Sequence, residues 1–337
     1  MAIVTSGTIR ILEKKNTWKM SVYTALSHED LSIFLAKYSI GELVNFEGID
    51  QGIENTNYFV DTTEGSYVLT IFESLENNDL PFFLELMSHL SRQGIPCAKP
   101  LPDKNNNYLQ NLKDKPSAIV ERLVGTTLIE SEASESQCQQ VGMWLAKLHQ
   151  ASLSFKKNRI NNRGKEWFEK VSEDLNPKIK EEEKNLLHSE IDYQLKQDTK
   201  SLPSGIIHAD LFRDNVMFDN STLTGIIDFY YAYNGAFLYD LAVTVNDWCI
   251  KENGEIHLLK CKSLLHAYTS IREIESKEYK HWSLLLRAAA LRFWTSRLYD
   301  KHFPKDGVII HTKDPDIFKK ILLDRIENKY NWPFNLD

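Results

Sequence analysis

Apolar positions along the chain recur with two periods, and the change from one to the other divides it. Leu31, Phe34, Leu35 and Tyr38 fall at helical spacing behind Ser27-His-Glu-Asp30, which reads as a helix N-cap with an acidic first turn, and Gly41 suits the helix end. The period then shortens to two. Residues 43–50 predict a strand, 51–55 a turn, 56–62 a second strand, Glu64-Gly65 a hairpin turn and 66–72 a third strand rich in β-formers. Helical spacing returns over 81–92, with Pro81 in the first turn, Gly94 at the end and Pro96 as a stop. Two more strands are predicted near 108–112 and 117–123, before Gly125 punctuates the chain.

Beyond Gly125 the pattern is mostly helical. Ser134-Glu-Ser-Gln137 forms a capping box, and Val141, Trp144, Leu145 and Leu148 share one apolar face. Residues 163–200 are charge-dense with scattered apolar positions, as in solvated amphipathic helices, and 236–250, 257–272 and 278–300 also read as helices. One β signal interrupts them. Val216-Met-Phe218, the turn-like Asp219-Asn-Ser-Thr222 and Leu223-Thr-Gly-Ile-Ile227 read as a hairpin. The expected fold class is therefore α+β. A small N-terminal lobe with an antiparallel sheet covers 20–124, a larger and mostly helical lobe covers 125–337, and a short hinge lies at 121–125. Residues 1–19 carry little periodicity and Met20 opens the patterned region, so 1–19 are expected to be an N-terminal extension with Met20 as the natural start.

Composition narrows the partners. A chain of 337 residues with 42% apolar and 26% charged residues is ordinary globular protein with an ample core. Its net charge of -7 argues against a nucleic-acid binder, which needs a basic excess to track phosphates. Cys97, Cys138, Cys249 and Cys261 form no CxxC pair and no zinc spacing with histidine, so they are read as free thiols in a reducing compartment. No apolar run reaches membrane-spanning length and the N-terminus lacks a signal-peptide stretch, so a cytoplasmic location is expected.

The candidate chemistry lies around the hairpin. A turn centred on Asn220-Ser221 sets residue 215 opposite 226 and 213 opposite 228. Asn215 and Asp228 then share the hairpin's open end, offset by two residues, or roughly 7 Å along the strand. Two such oxygen ligands suit a shared Mg2+ ion. Asp210 precedes them in a tight loop, where a carboxylate can accept a hydrogen bond from an incoming hydroxyl and aim it at the γ-phosphoryl group of ATP. The bland alternative is a surface loop whose Asp and Asn cap turns.

His208, Asp210 and Asn215, followed by an apolar strand ending in Asp228-Phe229, resemble the signature of protein-kinase-like phosphotransferases, and His208-Ala-Asp210 is similar to the aminoglycoside and choline kinase branch. Four further stretches resemble bacterial homoserine kinases of the aminoglycoside-kinase-like type: Gln51–Val60, Tyr67–Glu73, Asp240–Cys249 and Leu286–Tyr299. The resemblance implies a bilobal kinase-like fold and transfer of the ATP γ-phosphate to the side-chain hydroxyl of L-homoserine, within threonine biosynthesis. It implies a phosphate loop over 48–55 with Gly52, adenine contacts at Glu121 and Leu123, and bracing of the catalytic loop by His208 and Asp240. It implies Asp210 as base and Asn215 and Asp228 as Mg2+ ligands. An amino-acid substrate further needs partners for its ammonium, for which Asp247 and Asn246 are candidates, and for its carboxylate, for which Arg292 or Arg297 is suited.

One position departs from the superfamily. Thr70 stands where the third strand usually carries Lys, which leaves Glu85 on the next helix without its customary partner, although the homoserine-kinase-like pattern itself carries Thr there. Phe293, Trp144 and Trp294 are read as core, and His149 and His188 as surface or packing residues. The competing functions are a kinase for another small alcohol (choline, methylthioribose or an aminoglycoside) and a non-catalytic nucleotide-binding regulator.

Overall fold

The alternation of buried and open positions along residues 55–62 shows how the first half is built. Thr56, Tyr58, Val60 and Thr62 turn inward and Asn57, Phe59 and Asp61 turn the other way, as the period of a strand requires. In the computed structural model, which describes residues 24–49, 55–73, 79–128, 132–304 and 313–332, this strand belongs to a five-stranded antiparallel sheet. The elements begin α1 (His28–Leu35), β1 (Leu43–Gly48), β2 (Asn55–Thr62), β3 (Gly65–Phe72), α2 (Leu80–Arg92), β4 (Gln110–Leu112) and β5 (Lys115–Glu121), and the sheet order is β1-β2-β3-β5-β4. The inward face packs on α1 through Leu31, Phe34, Leu35, Tyr58, Val60, Leu69, Ile71 and Ile119. Each such side chain contributes about 1.5–3 kcal/mol by leaving water. The expectations for residues 1–19, Met20 and Gly52 lie outside the described residues.

The chain continues with β6 (Thr126–Thr127), α3 (Glu135–Ser152), α4 (Lys165–Leu175), α5 (Glu181–Leu195), β7 (Ser204–Ile207), β8 (Val216–Asp219), β9 (Thr222–Ile226), β10 (Tyr233–Ala236), α6 (Phe237–Trp248), α7 (Leu258–Thr269), α8 (Ser276–His302) and α9 (Pro315–Glu327). The helices pack α3 on α7, α6 on α8 and α8 on α9. Their core also takes in Phe72, Leu80, Phe83 and Leu90, so β3 and α2 are anchored in it. The short strands β6, β7 and β10 and the helix α9 were not read from the sequence; two to four residues carry too little periodicity to announce a strand. They form two small sheets, β6-β8-β9 and β7-β10. Gly125 makes the turn into β6 at φ +111°, where a Cβ would lie 2.5 Å from the Phe218 carbonyl oxygen. Among the described residues, no helix is long and apolar enough to cross a membrane.

Candidate active site

The loop after β7 is held from beneath by one carboxylate. Asp240, on the first turn of α6, accepts the backbone N–H groups of His208 and Ala209, each at 2.7 Å, and the Nε2–H of His149 at 3.0 Å. His149 in turn accepts the Tyr268 hydroxyl at Nδ1, 2.7 Å away. All three side chains are fully buried. Burial by itself would raise the Asp240 carboxyl, but the hydrogen bonds it accepts from the His149 ring and the His208 backbone N–H hold it below its ordinary value. Burial keeps His149 neutral by lowering its pKa. Of the two readings for His149, surface or packing, burial against Phe237 fits packing, and the residue is also part of the support of the loop.

His208 occupies both ring nitrogens within the same loop. Nε2 donates to the Ile227 carbonyl at 2.9 Å and Nδ1 accepts the Asp210 N–H at 3.3 Å, an arrangement only the neutral ring can make. Burial lowers its pKa accordingly. The bracing expected of His208 and Asp240 is thus what their contacts describe.

Asn215 reaches Asp210 at the open end of the hairpin and Asp228 follows the opposite strand there, with a register that differs from the one expected. Asp219 pairs with Thr222 and Phe218 with Leu223, as a turn at Asn220-Ser221 dictates, but Met217 pairs with Gly225 and Val216 with Ile226. Thr224 is an extra residue, a bulge whose hydroxyl donates to the Val124 and Met217 carbonyls. The bulge moves Asn215 opposite Ile227, whose N–H donates to the Asn215 carbonyl at 3.0 Å. Asp228 is therefore offset by one residue from Asn215, not two. It sits in the left-handed region at φ +63° and ψ +60°, capping a short turn over Phe229–Tyr231.

The Asn215 Nδ2 donates to the Asp210 carbonyl at 2.8 Å and to the Asp210 carboxylate at 3.2 Å. This turns the Asn215 amide oxygen away from Asp210. An amide oxygen and a carboxylate suit Mg2+, which takes few protein ligands and completes its shell with phosphate oxygens and water. No group of three His, Cys, Asp or Glu side chains that could hold a metal occurs among the described residues. The Asp210 carboxyl is raised to about 6, chiefly by burial, against the opposing pull of Arg292 and Lys313.

A small pocket opens at Ala209, the residue before Asp210. Ala209, Tyr231, Tyr233, Tyr239 and Arg292 line it, together with Asn161, Asn162 and Arg163 from the loop before α4. Arg292 is 8% exposed. Its guanidinium lies 3.8 Å from the Phe293 ring and 5.1 Å from that of Tyr231, with no ion-pair partner among the described residues. Arg297 stands outside the pocket lining, over Phe318 at 4.4 Å.

The structure gives the two α6 candidates other work. Asn246 is fully buried, its Nδ2 donating to the Leu286 carbonyl at 2.7 Å and its Oδ1 accepting from Arg325 at 3.1 Å. Asp247 accepts the Arg213 N–H at 2.8 Å and its Nε–H at 3.2 Å, and so fastens the far end of the catalytic loop. Neither lines the pocket. Neighbours on a helix point about 100° apart, so the two never shared one face.

At the end of β5, the Glu121 side chain pairs with Lys99 at 3.5 Å and the Glu121 N–H donates to the Lys99 carbonyl at 2.9 Å. The N–H of Leu123 has no backbone partner among the described residues. The Leu123 side chain closes on Gly225, where a Cβ would meet it at 2.5 Å. Thr70 donates to Asn57 at 2.8 Å, and Glu85 pairs with Lys157 at the surface, 2.7 Å away, so no lysine–glutamate pair bridges β3 and α2 there.

The sequence profile of the phosphotransferase enzyme family matches residues 45–274. The chain belongs to this family of phosphotransferases. The homoserine kinase of Methylobacillus flagellatus is 43% identical over 303 residues, covering 90% of this chain and 94% of its own length. That of Polaromonas naphthalenivorans is 42% identical, covering 92% and 99%. These relatives place the chain among the homoserine kinases of the family. Its fold is similar to that of an amicoumacin kinase in complex with AMP-PNP and Ca2+, with a TM-score of 0.67 at 15% identity over 90% of this chain and 93% of that one. The kinase-like α+β fold expected from His208 to Phe229 is therefore the fold observed.

Proposed function

We propose that this protein transfers the γ-phosphoryl group of ATP to the side-chain hydroxyl of L-homoserine, giving O-phospho-L-homoserine. One observation supports the assignment of parts: Asp210, bonded by the Asn215 amide at the open end of the hairpin, lies within electrostatic reach of the buried Arg292 that lines the neighbouring pocket. Asp210 accepts the hydrogen bond of the substrate hydroxyl and aims its oxygen at the γ-phosphorus. Such positioning is most of what phosphoryl transfer asks of a protein. Asn215 and Asp228 hold Mg2+, which when bound neutralises charge on the phosphate oxygens. Glu121 and Leu123 receive the adenine through their backbone groups. Arg292 takes the substrate carboxylate, since a buried guanidinium without a counter-ion favours an anion.

The same charge disfavours the rival alcohols. Choline and aminoglycosides are cationic and call for aromatic cages or acidic clefts, not an arginine-lined pocket. A non-catalytic regulator has no need to retain Asp210, Asn215 and Asp228 all at once. All four cysteines are free and buried, which suits a reducing, cytoplasmic setting.

The test is ADP release from Mg-ATP with homoserine, choline, methylthioribose and kanamycin in turn. Turnover confined to homoserine is expected. Turnover with choline or kanamycin in its place would reassign the substrate, and none with any of the four would favour the regulator.

A further inference from the structure

We infer that Arg163 joins Arg292 in a two-guanidinium clamp for the substrate carboxylate, and that Arg163 sets the preference for an amino acid over the amino alcohol lacking that carboxylate. The inference rests on the homoserine reading above and deepens it.

Arg163 comes from the loop ahead of α4, far in sequence from α8, yet the two arginines meet at one ring. The Arg163 guanidinium lies 5.0 Å from the Tyr231 ring and the Arg292 guanidinium 5.1 Å from it. Arg163 Nη2 also donates to the Tyr231 hydroxyl at 3.2 Å, and the guanidinium lies 5.1 Å from the Trp167 ring. The loop is itself set by the Arg163 N–H, which donates to Asn161 Oδ1 at 2.9 Å. Neither arginine has an ion pair with a carboxylate among the described residues, although each lies close enough to Asp210 to pull its carboxyl down. Two like charges converging on one half-buried ring repel each other unless an anion enters between them.

The chemistry of the anion follows from the neighbours. A planar guanidinium fork matches a carboxylate in two parallel hydrogen bonds. A carboxylate held there lies beside Asp210, which must meet the hydroxyl of the same molecule. A short hydroxy acid spans that gap, and homoserine places three carbons between its carboxylate and its oxygen.

The probes are L-homoserine and 3-aminopropan-1-ol, which is homoserine without its carboxylate, compared in wild type, Arg163→Gln and Arg163→Lys. For Arg163→Gln the KM for homoserine should rise about tenfold to a hundredfold, as for loss of a charge-assisted hydrogen bond. Its KM for ATP should change little, and kcat/KM for 3-aminopropan-1-ol should fall far less than that for homoserine. Arg163→Lys should recover part of the homoserine KM. An unchanged homoserine KM in Arg163→Gln would overturn the clamp, and so would an equal loss on both substrates, which marks a purely structural role. Wild type that ignores homoserine altogether would instead overturn the reading on which the clamp rests.

Discussion

Asp240 Oδ1 accepts the backbone N–H of Ala209 at 2.7 Å, at a residue held in the left-handed region with φ +64°. A non-glycine residue in that conformation costs on the order of 1–2 kcal/mol, so something nearby must stabilise it. The carboxylate does so while also holding the His208 N–H and His149. Asp240→Asn keeps the shape but turns one acceptor into a donor facing donors. We expect a loss of about 1–3 kcal/mol in stability and a fall in kcat of tenfold or more. Thermal unfolding and steady-state kinetics on one preparation check both, and a variant that keeps wild-type kcat would show that the loop needs no such hold.

His149 makes the fold sensitive to pH. Burial lowers its pKa below the ordinary 6.5, so the folded ring stays neutral where the unfolded one takes up a proton. The unfolded state then binds more protons as pH falls through about 6.5, and stability is lost on that side. His208 acts in the same direction. His149→Gln retains a donor for Asp240 and removes one titrating group. Its Tm should be lower than wild type near neutral pH and should fall less steeply between about pH 7.5 and 5.5. Parallel Tm curves would count against the assignment.

Glu85 should be dispensable. Its partner is Lys157 at the surface, an exposed pair of the kind that contributes about 0–1 kcal/mol. With Thr70 bonded to Asn57, Glu85 has no lysine on β3 to hold. Glu85→Ala is expected to keep kcat and the KM for ATP within about twofold of wild type, the scale of a lost surface pair. A large rise in the KM for ATP would mean that Glu85 serves the nucleotide after all.

Gly125 should not tolerate a side chain. At φ +111°, with the Phe218 carbonyl oxygen 2.5 Å from the place of a Cβ, alanine collides with rigid backbone of the hairpin that carries Asn215. Gly125→Ala should cost at least about 1–3 kcal/mol and lower kcat, as read by denaturant unfolding and activity. Gly94, with φ +80° and open space around it, is the control: Gly94→Ala carries only the backbone strain and should leave kcat unchanged.

The sequence carried most of the long elements, α9 excepted, and the motif, and missed what depends on side-chain direction. The capping boxes at Ser27 and Ser134 mark where α1 and α3 begin because their geometry is local. The offset of Asn215 from Asp228 was misjudged by one residue because a bulge at Thr224 has no compositional signature. Asn246 and Asp247 were taken together although adjacent helical positions diverge, and their partners on α8, α9 and the catalytic loop are set by packing alone. His149 had a signal that could have been used, since it continues the buried face of Val141, Leu145 and Leu148. A polar residue on such a face asks for a buried partner. Arg163 had none, as it reaches the pocket from a loop.

The central claim is that Asp210 orients the hydroxyl of homoserine for phosphoryl transfer. It is tested most directly by the kcat of Asp210→Ala against wild type at saturating Mg-ATP and homoserine, with product identified as O-phosphohomoserine. The account predicts a loss on the order of a hundredfold or more, with nucleotide affinity retained; a variant that turns over within a few-fold of wild type would contradict it.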